Sequence, residues 1–184
     1  EVSIEHVALA EKADIVVVAP ATAHCIAKIA HGLADDSLTT TVLATQAPLL
    51  IAPAMDAHMY ENPVTQENLA KLVNRGTTIV GPTVGRLASG LVGIGRLAET
   101  YDIVGHICAT LGNQGDLVGC TVVITAGGTQ ESIDPVRVVT NRSSGKQGYA
   151  LAEAARDRGA KVTLVATHTK LADPAAVEVI HIET

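Results

Sequence analysis

At 184 residues the chain suits one large domain or two smaller ones, at about 150 residues per domain, and its 47% hydrophobic content includes no Phe or Trp, so the core has to be aliphatic. A net charge of −6 leaves no basic stripe to neutralise phosphates, which excludes broad nucleic-acid binding. No apolar run approaches the length of a membrane span and no secretory signal opens the chain, so no membrane partner is expected. In chain order, Ile15 to Val18 reads as a strand and Thr22 to His31 as a helix. Leu49 to Ala52 is the next strand; a helix from Pro63 to Arg75 enters through Asn62 and Pro63 and closes at Gly76. Thr77 to Val80 is a short strand, Glu99 to Leu111 a helix, and Gly112 to Asp116 the best linker. Beyond it the pattern restarts: a buried strand at Val122 to Ile124, a turn at Gly127, Gly128 and Thr129, a helix from Gly148 to Arg158, and strands at Lys161 to Val165 and Val177 to Ile182. This alternation predicts doubly wound parallel α/β sheets, with ligands at the carboxyl ends of the strands.

The turns after those strands are therefore the places to seek chemistry. Gly127, Gly128 and Thr129 turn the chain tightly enough for backbone N–H groups to face an anion such as phosphate. Just downstream, Asp134, Arg137, Asn141, Arg142, Ser143, Ser144 and Lys146 supply more charge and hydrogen-bonding capacity than a connecting loop needs. Upstream, Pro20, Ala21, Thr22 and Ala23 open a helix, so their backbone amides and the Thr22 hydroxyl suit a polar ligand edge. His6 sits beside Glu5 at a loop-to-helix junction, one of seven histidines. Cys25, Cys108 and Cys120 lie far apart, make no metal-ligand spacing, and read as small buried residues in a reduced, cytoplasmic setting.

Three blocks, TAGGT at Thr125 to Thr129, DPVR at Asp134 to Arg137 and N-x-SSGK-x-G at Asn141 to Gly148, stand at fixed spacing. They closely resemble the start of the phosphopantothenate-cysteine ligase half of the bifunctional coenzyme A biosynthesis enzymes. The other half of that family is a flavin-dependent phosphopantothenoylcysteine decarboxylase. Glu5 to Leu9 with Ala13 and Asp14, then Ala19 to Ala23, Pro53-Ala54-Met55 and Gly93 to Arg96, are similar to it in the expected order. The resemblance implies a partial flavodoxin-like, Rossmann-like decarboxylase domain at 1–111, a linker at 112–119 and the start of a second Rossmann-like domain at 120–184. It also implies that the early strands with their flavin-phosphate loop, and the later nucleotide-contacting part of the ligase, lie outside this chain.

Residue by residue, the resemblance places flavin mononucleotide (FMN) against Pro20, Ala21, Thr22, Ala23 and Ala54. It makes His6 the proton-handling residue during flavin-dependent oxidation of the cysteinyl thiol, a task suited to imidazole. On the ligase side it implies activation of 4'-phosphopantothenate by CTP, with Mg2+ on the triphosphate, and attack of cysteine on the acyl-cytidylate. Arg137 and Asn141 fall on positions tied to that intermediate and its turnover; Gly127, Gly128, Thr129, Ser143, Ser144, Gly145 and Lys146 fall on substrate or phosphate contacts. Small-molecule substrates and a homo-oligomer are the expected partners. The chain departs from the family twice: Asp56 stands where an Asn commonly holds the substrate carboxylate, and Ser89 where a Cys commonly returns a proton. These departures raise the alternative of a ligase whose decarboxylase half is an inert flavin-binding scaffold. A generic dinucleotide-binding oxidoreductase ranks lower, because no G-x-G-x-x-G opens a helix with an acidic residue at the right distance.

Overall fold

The computed structural model describes residues 5–167 and 169–182. Its contacts divide the chain between Ile103 and Val104 into two compact units. In the first, α1 (Glu5–Lys12), β1 (Val16–Ala21), α2 (Ala23–His31), α3 (Ser37–Ala44), β2 (Leu49–Pro53), α4 (Ala57–Glu61), α5 (Pro63–Val73) and β3 (Thr78–Ile79) precede a hairpin of β4 (Thr83–Arg86) and β5 (Val92–Arg96). β1, β2 and β3 form a parallel sheet in that order, with Val16 opposite Leu49 and Ile51 opposite Ile79. Leu50, Ile51, Ala52 and Pro53 are all buried in succession, as a central parallel strand covered on both faces requires. Ile26, Ile29 and Ala30 of α2 and Leu69 and Leu72 of α5 meet Val18 and Ile51 in an aliphatic core.

Helix α6 (Thr100–Gly112) crosses the division point. The second unit continues with β6 (Thr121–Ala126), a hairpin of β7 (Gln130–Ser132) and β8 (Val138–Thr140), α7 (Lys146–Asp157), β9 (Lys161–Ala166) and β10 (Glu178–His181). Its parallel sheet has the order β10-β9-β6. Gly148, Tyr149, Ala152 and Arg156 line the buried face of α7, and Tyr149 and Ala152 pack on Val162, Leu164 and Ala166. The turn after α6 is fastened to the end of α7 by the Leu117 amide, which donates to the Arg158 carbonyl at 2.9 Å, and by an Arg158–Asp116 ion pair.

The expected α/β alternation with parallel sheets is present, and four details differ. The strand at Val122 to Ile124 is not buried throughout: β6 is an edge strand and Val123 is 66% exposed. Cys120 is exposed, since it precedes that edge strand. The helix expected from Gly148 begins at Lys146, because Gly145 takes the left-handed conformation at the N-cap (φ 73°) and starts the helical turn earlier. Two hairpins and the helices α3 and α4 lie where no element is expected. In α3 a capping box, Asp36 with Thr39, sets the helix start in a threonine-rich segment of weak helix propensity.

The α2 face yields a stability test. Ile26→Ala removes a fully buried side chain and is expected to cost about 2–5 kcal/mol, whereas Leu43→Ala, at a side chain 62% exposed, costs less than about 1 kcal/mol. Denaturant unfolding of the full-length protein checks the contrast; equal losses would remove Ile26 from the core.

Candidate functional site

In the first unit, the carboxyl ends of β1 and β2 are joined beyond their ladder: the Ala54 amide donates to the Ala21 carbonyl at 3.0 Å. The turns that follow the two strands therefore border one crevice. Thr22 caps α2 by accepting the Cys25 amide at 3.3 Å, which leaves its hydroxyl proton and the first-turn amides of Ala23 and His24 as donors there. Ala21 is fully buried and contributes backbone only, while Pro20 and Thr22 are exposed.

The β4–β5 hairpin is fastened to the turn after β2. The Met55 amide donates to the Gly95 carbonyl at 2.9 Å, and a Cβ at Gly95 would overlap the Met55 carbonyl oxygen. Gly95 also has φ 141°, so only glycine permits this approach. The hairpin loop then places Ser89 on Asp56: the hydroxyl donates to Asp56 Oδ2 at 2.8 Å, while Asp56 Oδ1 accepts the His58 amide at 3.1 Å and caps α4. The Ser89 hydroxyl, and after it the His58 amide, hold the Asp56 carboxyl below its ordinary pKa. A cavity of about 380 Å3 opens here among Ala54, Asp56, Arg86, Ser89 and Arg96. A larger cleft of about 540 Å3 lies where β2 begins, around Leu33, Leu43 and Pro48, away from these turns; its cation, Arg75, donates to the Ala30 carbonyl. It carries none of the predicted chemistry.

His6 lies in the first turn of α1 and is half-buried. The Thr45 hydroxyl donates to the Ala10 carbonyl at 3.1 Å and so anchors α1 near the start of β2; His6 is one turn earlier in the helix. Among the described residues it has no hydrogen-bond partner, and the hydrogen bonds that join Ala21, Ala54, Met55, Asp56 and Ser89 do not include it.

In the second unit, the Thr167 amide donates to the Ala126 carbonyl at 2.9 Å, so the turns after β6 and β9 adjoin. Gly127 (φ 102°) lies against Thr167, and Gly128 against the side-chain carbonyl of Asn141, with no room for a Cβ at either. The Thr140 hydroxyl donates to the Thr129 carbonyl at 2.9 Å, and the Gly145 amide to Ser143 Oγ at 3.4 Å. Gly127, Gly128, Thr129, Asn141, Ser143 and Gly145 thus converge, and Ser144 and Lys146 line the adjoining hollow at the start of α7. Arg137 does not join them. Its Nε donates to Asp134 Oδ2 at 2.6 Å, and Asp134 Oδ1 accepts the Val136 and Arg137 amides at 2.9 and 2.7 Å. Those bonds, the Val136 amide first, lower the Asp134 pKa. At about 3.3 Å per residue, the length of β8 separates Arg137 from Asn141 by roughly 13 Å.

Residues 1–112 match the Flavoprotein family model, and residues 117–184 match the DNA/pantothenate metabolism flavoprotein C-terminal domain. The chain belongs to the flavoprotein family. It is 49% identical over 184 residues to the coenzyme A biosynthesis bifunctional protein CoaBC of Vibrio parahaemolyticus, covering 100% of this chain and 46% of that protein. The CoaBC protein of Mycobacterium tuberculosis is 49% identical over 187 residues, covering 99% and 45%. The chain thus spans about half the length of these curated relatives. Among solved structures it is similar to a PPC decarboxylase mutant complexed with pantothenoylaminoethenethiol (39% identity, TM-score 0.56, 57% of this chain and 59% of that one). It is also similar to the FMN binding protein AtHal3 (38% identity, TM-score 0.52, 57% and 58%).

A flavin fits the crevice of this family member in chemistry. Small residues, Ala21, Ala23 and Ala54, leave room, and the Thr22 hydroxyl with the α2 amides supplies donors for a polar ring edge or phosphate. Among the described residues no group of three His, Cys, Asp or Glu could hold a metal ion. Nor is any helix among them long and apolar enough to cross a membrane. The sequence reading passes over Thr167 and the Asp56–Ser89 contact, and takes Gly95 only as part of the Gly93 to Arg96 motif. The rule that ligands gather beyond the carboxyl ends of parallel strands points to Thr167; nothing in the sequence pairs residues 56 and 89.

Because Ser89 is the largest cause of the lowered Asp56 pKa, Ser89→Ala is expected to raise it toward the ordinary carboxylate value. A depressed carboxyl pKa contributes stability above the unfolded-state pKa and loses it as pH falls through the folded one, so the mutant loses this contribution at a higher pH. Carboxyl-carbon NMR titration of Asp56 measures the shift, and an unmoved midpoint would show that the hydrogen bond is not formed in solution.

Proposed function

We propose that the protein containing this chain catalyses two steps of coenzyme A biosynthesis: CTP-dependent ligation of 4'-phosphopantothenate with cysteine, and FMN-dependent decarboxylation of the 4'-phosphopantothenoylcysteine so formed. Residues 1–111 belong to the decarboxylase and 120–184 to the ligase, with 112–119 between them. The carrying observation is the 49% identity over all 184 residues, across both halves, to a protein named as a bifunctional protein of coenzyme A biosynthesis. In a reducing cytoplasm, the substrates are small molecules.

When bound, FMN supplies a two-electron acceptor for oxidation of the cysteinyl thiol, which makes loss of carbon dioxide easy. Thr22 and the α2 amides hold its polar edge, and Ala21, Ala23 and Ala54 leave it space. His6 moves the proton at the reacting cysteinyl group. Asp56 and Ser89 line the cavity that Ala54 also borders.

In the ligase, the Gly127–Thr129 turn and the Ser143–Lys146 segment hold phosphate, and Asn141 donates to the acyl-cytidylate as charge develops. Magnesium would steady the triphosphate of CTP. Arg137 acts at the tip of the β7–β8 arm. That arm also exposes Val136 (89%), Ile133 and Val139 (60% each), apolar surface that supports a homo-oligomer.

One observation favours the second reading, a ligase with an inert decarboxylase half: the Ser89 hydroxyl donates to Asp56. Release of carbon dioxide from 4'-phosphopantothenoylcysteine by full-length protein separates the two. His6→Asn is expected to keep the flavin absorbance and abolish that release; unchanged release would take His6 out of the mechanism.

For the ligase, Asn141→Asp or Arg137→Gln is expected to cost roughly 2 to 4 kcal/mol of transition-state stabilisation. Amide formation with cysteine slows while CTP is still consumed, so the acyl-cytidylate accumulates and is seen by mass. Wild-type rates in both variants would make the loop purely structural.

A further inference from the structure

Asp56 cannot receive an anion. Both of its oxygens already accept, one from the Ser89 hydroxyl and one from the His58 amide, and these bonds keep it ionised. An anionic substrate group entering this cavity therefore meets a carboxylate and needs a cation to offset it.

Two arginines line the cavity. Arg96 is committed: its Nη2 lies 2.7 Å from Glu99 Oε1. The guanidinium of Arg86, on the β4 strand of the same hairpin, has no hydrogen-bond or ion-pair partner among the described residues. Its neighbour across the cavity, Asp56, forms no ion pair with it. Its planar fork of N–H donors matches an oxyanion at two points.

We propose that Arg86 is the residue that receives an oxyanion of the substrate in the Asp56–Ser89 cavity. This assignment rests on the decarboxylase reading. It makes the hairpin a specificity element, with anionic ligands held by Arg86 at the rim while the hydrogen-bonded Asp56–Ser89 pair forms the wall. The substrate offers two such oxyanions, its carboxylate and its phosphate.

The test uses full-length Arg86→Gln, with flavin absorbance as the control for folding. KM for 4'-phosphopantothenoylcysteine is expected to rise about tenfold while kcat changes less, with Arg86→Lys intermediate. Calorimetry with 4'-phosphopantetheine, which keeps the phosphate and lacks the carboxylate, assigns the source. An unchanged Kd with a raised KM places the carboxylate on Arg86, and a Kd weakened by the same factor places the phosphate there. Unchanged values in both measurements would overturn the proposal, as would an equal loss in Arg96→Gln. Should the wild type release no carbon dioxide, the decarboxylase reading falls; the Kd of the intact substrate is then directly measurable and decides Arg86 by itself.

Discussion

In each sheet a backbone hydrogen bond continues past the end of a ladder into the turns that carry the candidate sites, Ala54 to Ala21 in the first unit and Thr167 to Ala126 in the second. Both join neighbouring parallel strands at their carboxyl ends. In a parallel sheet all strands stop on the same side, so the loops that leave them are neighbours even when far apart in sequence. One further bond draws two such loops together, and the candidate sites depend on it. The residues at these crossings, Ala21, Thr22 and Ala54 in one unit and Ala126, Gly127 and Thr167 in the other, are small enough for two backbones to run side by side. The aliphatic sheets beneath provide the rigid base on which short polar side chains hold position.

Much of this architecture is legible in the sequence. The runs at Ile15 to Val18 and Leu49 to Ala52 mark parallel strands, and Asn62-Pro63 with Gly76 bounds α5 closely, because capping rules act locally. What escapes is set by distant partners. β4 and β5 contain Gly85, Gly93 and Gly95 and expose Val84 and Val92, so no apolar alternation announces them. Their pairing is fixed by packing on the turn after β2. α4, five residues long, begins where the Asp56 side chain caps it.

The candidate sites divide in the same way. Glycines 127 and 128 are readable as a tight turn from the sequence alone, but that they crowd Asn141 and Thr167 depends on how β6, α7 and β9 stack. Arg137 shows the converse. In sequence it shares a loop with Asn141, yet an extended strand carries four residues across most of the width of a small sheet, and Asp134 fixes the arginine at the far end of it. Sequence proximity implies spatial proximity in a turn or helix; in a hairpin it does not.

The same logic joins the two departures at 56 and 89, which in sequence look like independent losses. An ionised Asp beside a thiol gains only a weak donor and discourages the thiolate, whereas beside a hydroxyl it gains a short charge-assisted hydrogen bond. A carboxylate at 56 and a hydroxyl at 89 satisfy one another, and each without the other leaves a poorer contact at the base of the hairpin loop. Against the Asn and Cys that the family resemblance implies at these positions, they amount to one physical change: a hydrogen-bonded acid–alcohol pair in place of a neutral donor amide with a titratable thiol. The cost of that exchange is chemical. The pair consumes the proton that Ser89 offers and adds a negative charge to the cavity wall, so in the proposed decarboxylase a proton donor and an anion holder have to come from residues outside the pair.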